Sequence, residues 1–488
     1  MSAAGMAGDH PEEACGVFAA YVPGMAASYL VFDGLLALQH RGQESAGMAV
    51  SDGSQLWIDK DMGLVAQVFN DYKLAALAGH LAIGHTRYST TGSSTWDNAQ
   101  PVYRDTGGGG FALGHNGNLT NTAALAAELG VLPGMAGSDS DLIAELLART
   151  MGALPFDGGG LEAALVAVLP RLEGAFSLVL CDVGQVIGVR DPHGFRPLCL
   201  GRLEEGGWVL ASESPALDVV GAHFVRELDP GEMVVIDVAG CRSVRPFPPA
   251  QVDPRLCVFE FVYFARPDSR LYGKEVQAAR HRMGQRLADE APLPPDAAAT
   301  ERPVLVMGVP DSGVPAAEGF AQRSGLPYGQ GLIKNRYIGR TFIAPDQHKR
   351  DLGVRRKLNP LRGAIEGKRL VVVDDSIVRG TTSKQLVRLL REAGAAEVHL
   401  RVISPPYRWP CFYGMDTGTR AELLAANLSV GEIQDFLAVD SLAYLSLDGL
   451  IAAIEAPGAG FCTACLTGDY PVAIPVALHK GVLEVTGG

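Results

Sequence analysis

The sequence predicts two domains of different build in one chain. Sheets packed on each other and flanked by helices come first, and a parallel sheet covered by helices on both faces follows. Three observations carry this expectation. The 488 residues exceed what one ordinary core holds. To about residue 245 the chain reads as short apolar strands broken by Gly, Asn and Asp, with few helical patterns between them. From 303 it turns into strand–loop–helix units whose strands are unbroken β-branched runs, as a sheet buried on both faces requires.

In the first part the strand candidates are LAIGHTRYST (81–90), GGFALGHNGNL (109–119), AFSLVLCD (175–182), VIGVRD (186–191), GWVLASES (207–214) and GEMVVIDV (231–238). Helical patterns interrupt them at 28–40, 122–129 and 139–151, with Ser138 or Asp139 as N-cap of the last. RPFPPAQVDPR (245–255) is Pro-rich and reads as the crossing between domains, and ADEAPLPPDAAATERP (288–303) as an exposed loop. In the second part PVLVMGVP (303–310) runs through DSG into an Ala-rich helix. RLVVVDD (369–375) runs through SIVRGTTS into the helix KQLVRLLREAG, and AEVHLRVIS (396–404) forms a further strand.

Composition narrows the function. With 47% hydrophobic and 19% charged residues the chain is ordinary globular material, and its net charge of −13 argues against a general nucleic-acid or membrane-surface binder. No apolar run approaches the ~20 residues of a membrane helix. The opening MSAAGMAGDHPEEA has neither a basic stretch nor an apolar core, so it is not a secretory signal and a cytoplasmic location is expected. There the eight cysteines stay reduced, and any special ones are nucleophiles or metal ligands.

The strongest local signal is LVVVDDSIVRGTTS (370–383). A buried strand delivers Asp374 and Asp375 to its carboxyl end, where open α/β sheets bind ligands. Two adjacent carboxylates there suit the hydroxyls of a ribose or a hydrated divalent metal. Ser376, Arg379, Gly380, Thr381, Thr382 and Ser383 then place free amides and hydroxyls at a helix start, a cradle for a monophosphate. The bland alternative, a strand end with solvated acids, does not account for the whole string in order.

This string resembles the phosphoribosyl pyrophosphate motif of type I phosphoribosyltransferases. The resemblance implies that Asp374 and Asp375 hold the ribose hydroxyls and that Thr381, Thr382 and Ser383 hold the 5-phosphate. GVPDSGVPAA (308–317) resembles the pyrophosphate loop of the same family, with Asp311, Ser312 and Gly313 facing the diphosphate and Ser312, Asp374 and Asp375 facing its Mg2+. Between the two motifs, residues 334–358 carry eight Lys and Arg, with two more just beyond, an exception in an acidic chain. A charge run is usually a solvated face. Lying between two anion sites, it reads better as a lid over pyrophosphate, with Lys334 and Tyr337 as contacts.

Cys15, taken singly, is a small buried residue. Its neighbours change that. LQHRGQESAG (38–47), GHTRYSTTG (84–92), GHNGNL (114–119) and SDSD (138–141) resemble, in order, the glutaminase domain of the N-terminal-nucleophile amidotransferases. In that family the leader is clipped and the cysteine's own α-amine, with a pKa near ~8, takes the thiol proton. The resemblance assigns the oxyanion to Asn116 and Gly117, the glutamine carboxylate to Arg87, and its ammonium to Asp139. It requires removal of residues 1–14, by self-processing or by a separate protease.

Cys462 and Cys465 form a CxxC pair, with Cys257 and Cys411 as isolated companions. Zinc and an iron–sulfur cluster both accept four thiolates, so the pair alone does not choose. A redox role is disfavoured because the motif does not open a helix near the start of a βαβ unit. Cys181, Cys199 and Cys241 read as packing. The settings RLCVFEFVYFARPDS, RWPCFYG and GFCTACLTGDYP resemble the cluster-bearing subgroup of the amidophosphoribosyltransferases, which also carries the cleaved leader. This implies a 4Fe–4S cluster on Cys257, Cys411, Cys462 and Cys465, structural or oxygen-sensing, with zinc the lesser alternative.

Together the pieces resemble amidophosphoribosyltransferases from residue 15 to about 471. The implied layout is a propeptide (1–14), an N-terminal-nucleophile glutaminase domain with an α-β-β-α sandwich (15–250), a type I phosphoribosyltransferase domain with a parallel sheet flanked by helices (251–455), and a C-terminal segment with the CxxC (456–488). Glutamine and phosphoribosyl pyrophosphate are the implied substrates, purine nucleotides the feedback inhibitors acting through the basic loop, and a homotetramer or homodimer the assembly. Other glutamine amidotransferases predict isomerase or ATP-pyrophosphatase motifs downstream, which are not found. A nucleotide-sensing regulator predicts a basic DNA-binding N-terminus, where the glutaminase set lies instead.

Overall fold

The structure is a computed structural model that describes residues 15–88, 94–107, 109–132, 136–154, 160–293, 302–335, 357–415, 417 and 419–475. Two antiparallel sheets form the first half. One has seven strands in the order Ala222–Glu227, Cys199–Leu203, Trp208–Ala211, Gly16–Tyr21, Leu81–Arg87, Ser45–Ser51 and Leu56–Met62. The other has six, ordered Gly240–Val244, Met233–Asp237, Val186–Arg190, Gly174–Cys181, Gly110–Leu119 and Val102–Asp105.

Strand periodicity sets the layering. In Gly16–Tyr21, Val17, Ala19 and Tyr21 face the second sheet across a shared core, while Phe18 and Ala20 face the helices Ala27–Ala37 and Ser214–Val219. On the second sheet Phe176, Leu178 and Leu180 lie under the helices Asp139–Ala153 and Gly160–Val168. Each fully buried side chain of this kind contributes roughly 1.5–3 kcal/mol. The result is the expected helix–sheet–sheet–helix sandwich. The helix at 139 is capped by Ser138, whose side chain accepts the Asp141 N–H at 3.3 Å, and Asp139 is its first residue.

The second half holds a four-stranded parallel sheet ordered Val304–Gly308, Arg369–Asp374, Glu397–Val402 and Ser441–Tyr444. Val371 and Val373 pack toward the helices Val276–Glu290 and Gly313–Ser324. Leu370 and Val372 pack toward Thr381–Glu392 and Val430–Leu437. Apolar side chains on both faces explain the unbroken VVV run. A short antiparallel pair, Leu332–Lys334 with Leu358–Pro360, stands beside this sheet.

Between the halves the Pro-rich stretch makes only the turn Pro249–Gln251 before a two-residue parallel pairing of Leu256 and Cys257 with Phe461 and Cys462. A π-helical turn, Glu260–Phe264, follows. Buried ion pairs join the two halves. Buried Glu260 accepts from Arg41 and, at 3.2 Å, from Arg196, and Arg41 also binds Glu213. No helix among the described residues is long and apolar enough to cross a membrane.

Candidate active sites

Cys15 stands at the head of the central strand, 5% exposed, with its thiol against the main chain of Tyr88. It shares a pocket with Arg87, His115, Gly117 and Asp139. Arg87 ends the adjacent strand, is 3% exposed, and lies 3.6 Å from Glu44. Asp139 accepts the N–H of Leu119 at 3.1 Å and that of Ser140 at 2.9 Å. Burial pushes this carboxyl up, and nearby His115 with the backbone donors overcomes it, so Asp139 sits below the usual carboxylate range. A cationic clamp and an anion therefore face one another beside the thiol, suiting an amino acid's two charged ends.

Asn116 is completely buried, and neither its side-chain nitrogen nor its oxygen has a hydrogen-bond partner among the described residues. An orphaned amide in a closed strand costs stability unless a ligand completes it. Next to it Gly117 has φ of 151°, and a Cβ there would lie 2.0 Å from the Ala175 carbonyl oxygen, so only glycine fits. Burial pushes the Cys15 thiol up to about 12, against the pull of Arg87. It is protonated at neutral pH and needs a local base to become a nucleophile.

Two residues of the pocket, Gln100 and His115, are not marked as functional by the sequence alone. Gln100 accepts the His115 N–H at 2.7 Å and donates to Ser140 at 3.0 Å, and the His115 ring lies 3.2 Å from the same hydroxyl. The only sequence signal for His115 is its place in GHNGNL.

In the second half Asp374 ends the strand Arg369–Asp374 and Asp375 follows it, each 1% exposed. Asp375 accepts from the Ser376 hydroxyl at 2.6 Å and from Ser312, and its N–H donates to Asp374 at 3.0 Å. Gly380, with φ of 75°, starts the helix Thr381–Glu392. Thr381 is exposed, Thr382 half-buried and Ser383 buried at that helix start. Arg379 pairs with Glu422 at 2.9 Å. Ser312 and Gly313 open the other helix, and exposed Asp311 pairs with Lys334. Both helix N-termini thus meet at adjacent parallel strand ends, with a hydroxyl and two carboxylates that fit a hydrated divalent cation. Tyr337 and most of the basic run lie outside the described residues.

The four cysteines converge from distant chain positions. Cys257 pairs in register with Cys462, and the thiols of Cys257, Cys462 and Cys465 each lie in the field of others of the set. Burial pushes all four up, and Arg196 pulls Cys257, Cys411 and Cys462 down. Backbone N–H groups two residues ahead aim at three of the sulfurs, from Phe259 to Cys257, Tyr413 to Cys411 and Ala464 to Cys462. Donors turned toward buried sulfur fit thiolates. Among the described residues no group of three or more metal-binding side chains stands close enough for a single ion. Cys462 ends the strand Phe461–Cys462 and Cys465 lies in the helix Ala464–Thr467, but these are two and four residues long and belong to no βαβ unit.

Fold and sites together define a two-domain glutamine amidotransferase with a phosphoribosyltransferase half. Residues 85–219 match the family model of the glutamine amidotransferase domain and residues 288–405 that of the phosphoribosyl transferase domain. The chain belongs to the amidophosphoribosyltransferase family. The amidophosphoribosyltransferase of Mycobacterium bovis is 53% identical, covering 97% of this chain and 90% of its own, and that of Synechococcus elongatus is 51% identical, covering 97% and 94%. Among solved structures, the glutamine phosphoribosylpyrophosphate amidotransferase of B. subtilis complexed with ADP and GMP superimposes with a TM-score of 0.86 at 41% identity, covering 96% of this chain and 100% of that one.

Proposed function

We propose that this chain moves the amide nitrogen of glutamine onto phosphoribosyl pyrophosphate, forming 5-phosphoribosylamine at the first step of de novo purine synthesis. The observation that carries the reading is the presence in one chain of a buried thiol between a cationic clamp and an acid, and of paired strand-end carboxylates at a double anion cradle. Arg87 binds the glutamine carboxylate and Asp139 its ammonium. Removal of residues 1–14 frees the α-amine of Cys15, which accepts the thiol proton as sulfur attacks the side-chain amide. Asn116 and the Gly117 N–H stabilise the oxyanion, and ammonia leaves as the thioester forms. Water then releases glutamate from Cys15.

Ammonia travels inside the protein to the second site, because in water it protonates. There Asp374 and Asp375 orient the ribose, and Ser376, Arg379, Gly380, Thr381, Thr382 and Ser383 hold the 5-phosphate. Asp311, Ser312, Gly313, Lys334 and Tyr337 hold the diphosphate. Ser312, Asp374 and Asp375 would hold Mg2+, which would neutralise the charge on the departing pyrophosphate. Cys257, Cys411, Cys462 and Cys465 would hold a 4Fe–4S cluster as a structural or oxygen-sensing staple, a reading supported by the backbone donors at three of the sulfurs. The domains divide at 15–250, 251–455 and 456–488. Feedback by purine nucleotides is supported by the ADP and GMP complex of the B. subtilis protein. The proposed active form is a homotetramer or homodimer.

The test is Cys15→Ala in the processed chain. Glutamine-dependent pyrophosphate release is abolished, while ammonia-dependent release persists. Equal loss of both in a folded protein overturns the two-site reading.

A further inference from the structure

We infer that Arg196 is a positioning residue for glutamine hydrolysis: it clamps the segment 412–414 of the second half against Gly117, and so fixes the direction of the oxyanion amide. The inference rests on the assignment of Gly117 to the oxyanion given above.

Arg196 is fully buried in the loop after the strand Val186–Arg190. Its own carbonyl is pinned by the Arg190 guanidinium at 3.0 Å and the Ser177 hydroxyl at 3.1 Å. Ser177 is the cross-strand partner of Asn116. The guanidinium donates twice to the Tyr413 carbonyl, from Nε at 3.2 Å and Nη2 at 2.9 Å, and pairs with Glu260 at 3.2 Å. The planar fork thus joins a carbonyl and a carboxylate, both from the second half, to the first.

The clamped segment meets the oxyanion strand directly. The Asn118 side chain donates to the Phe412 carbonyl at 3.0 Å, and the Phe195 and Tyr413 rings stack at 4.4 Å. Gly414, with φ of 98°, lies on the peptide of Gly117: a Cβ on Gly414 would stand 3.1 Å from the Gly117 Cα and 3.2 Å from Arg196 Nη2. On its other side Gly117 abuts the Ala175 carbonyl. The amide is held between these two walls, one of which the first half does not supply. An oxyanion donor works only if its direction is set before the charge develops. Arg196 also brings its positive charge near Cys15, a field that favours the same negative intermediate.

The test uses the processed full chain with Arg196→Lys, which keeps a charge for Glu260 but lacks the fork, and Gly414→Ala, which leaves every buried charge in place. In both, kcat for glutamine hydrolysis falls on the order of 100-fold. KM for glutamine stays within about threefold and ammonia-dependent pyrophosphate release within about twofold, because ground-state binding and the second site are not touched. A rise in KM with kcat retained, a parallel fall of both activities in the two variants, or no change overturns the inference. Asn116→Ala separates it from its parent: unchanged hydrolysis in that variant sinks the oxyanion assignment itself. Loss there with an unaffected Arg196→Lys and Gly414→Ala sinks only the clamp.

Discussion

Ser312 donates its hydroxyl to Asp375 across the gap between two neighbouring parallel strand ends. The bond ties the first residues of one helix to the acid at the root of the other, so the two anion cradles are set relative to each other before substrate arrives. Asp375→Asn keeps the shape but removes the charge that a Mg2+-bound substrate would meet. It is expected to lower pyrophosphate release on the order of 100-fold, equally with ammonia and with glutamine. Glutamine hydrolysis without acceptor serves as the control, since Cys15 lies in the other half.

Cys15 gives a prediction about pH. Burial holds its thiol at about 12, so deprotonation, and with it alkylation, rises about tenfold per pH unit throughout the neutral range while the leader remains attached. Freeing the α-amine places a base of pKa near ~8 beside the sulfur. Alkylation of the processed chain should then level off above about pH 8 instead of climbing further. The rate of iodoacetamide labelling at Cys15, followed by mass spectrometry from pH 6 to about pH 10 in both forms, decides the matter. Identical slopes would remove the α-amine from the mechanism.

The cysteine set gives a prediction about composition. Protein purified without air should be coloured and contain iron and acid-labile sulfide in equal amounts, about four of each per chain. Cys411→Ser should reduce both and lower thermal stability, because Cys411 joins the segment 412–414 to the pair Cys257 and Cys462. A colourless chain with one bound zinc would replace the cluster by a mononuclear site.

The legible parts of the sequence are those where chemistry and chain order coincide. VVVDDSIVRGTTS shows strand, acids and cradle in fourteen residues with its leading leucine, and the structure keeps them contiguous. The strands Gly16–Tyr21 and Ser45–Ser51 are not legible. Both are buried along their whole length, so no alternation marks them, and Ser45–Ser51 is built largely from Gly, Ala and Ser. Cys15, Arg87 and Asp139 show only as a set of motifs. The clamp on Gly117 leaves no local trace, because its bonds join residues 217 and 294 positions apart. Such contacts arise from the packing of one half on the other, which no short window contains.

The last prediction concerns a glycine that touches no ligand. A Cβ on Gly284 would stand 1.8 Å from the carbonyl oxygen of Ala316, so the helix Val276–Glu290 lies against the backbone of the helix Gly313–Ser324 at this point. Backbone does not yield as a flexible side chain does, so Gly284→Ala must push the second helix away. That helix carries Ser312 and Gly313 at its start. The variant should lose about 1–3 kcal/mol of stability, as overpacked cores do. KM for phosphoribosyl pyrophosphate should rise severalfold with either nitrogen source. Gly363, also in a helix, has nothing within 4 Å of its added Cβ, so Gly363→Ala should leave KM where it is and not lower the melting temperature. If the two variants melt and bind alike, the close helix contact does not set the pyrophosphate loop.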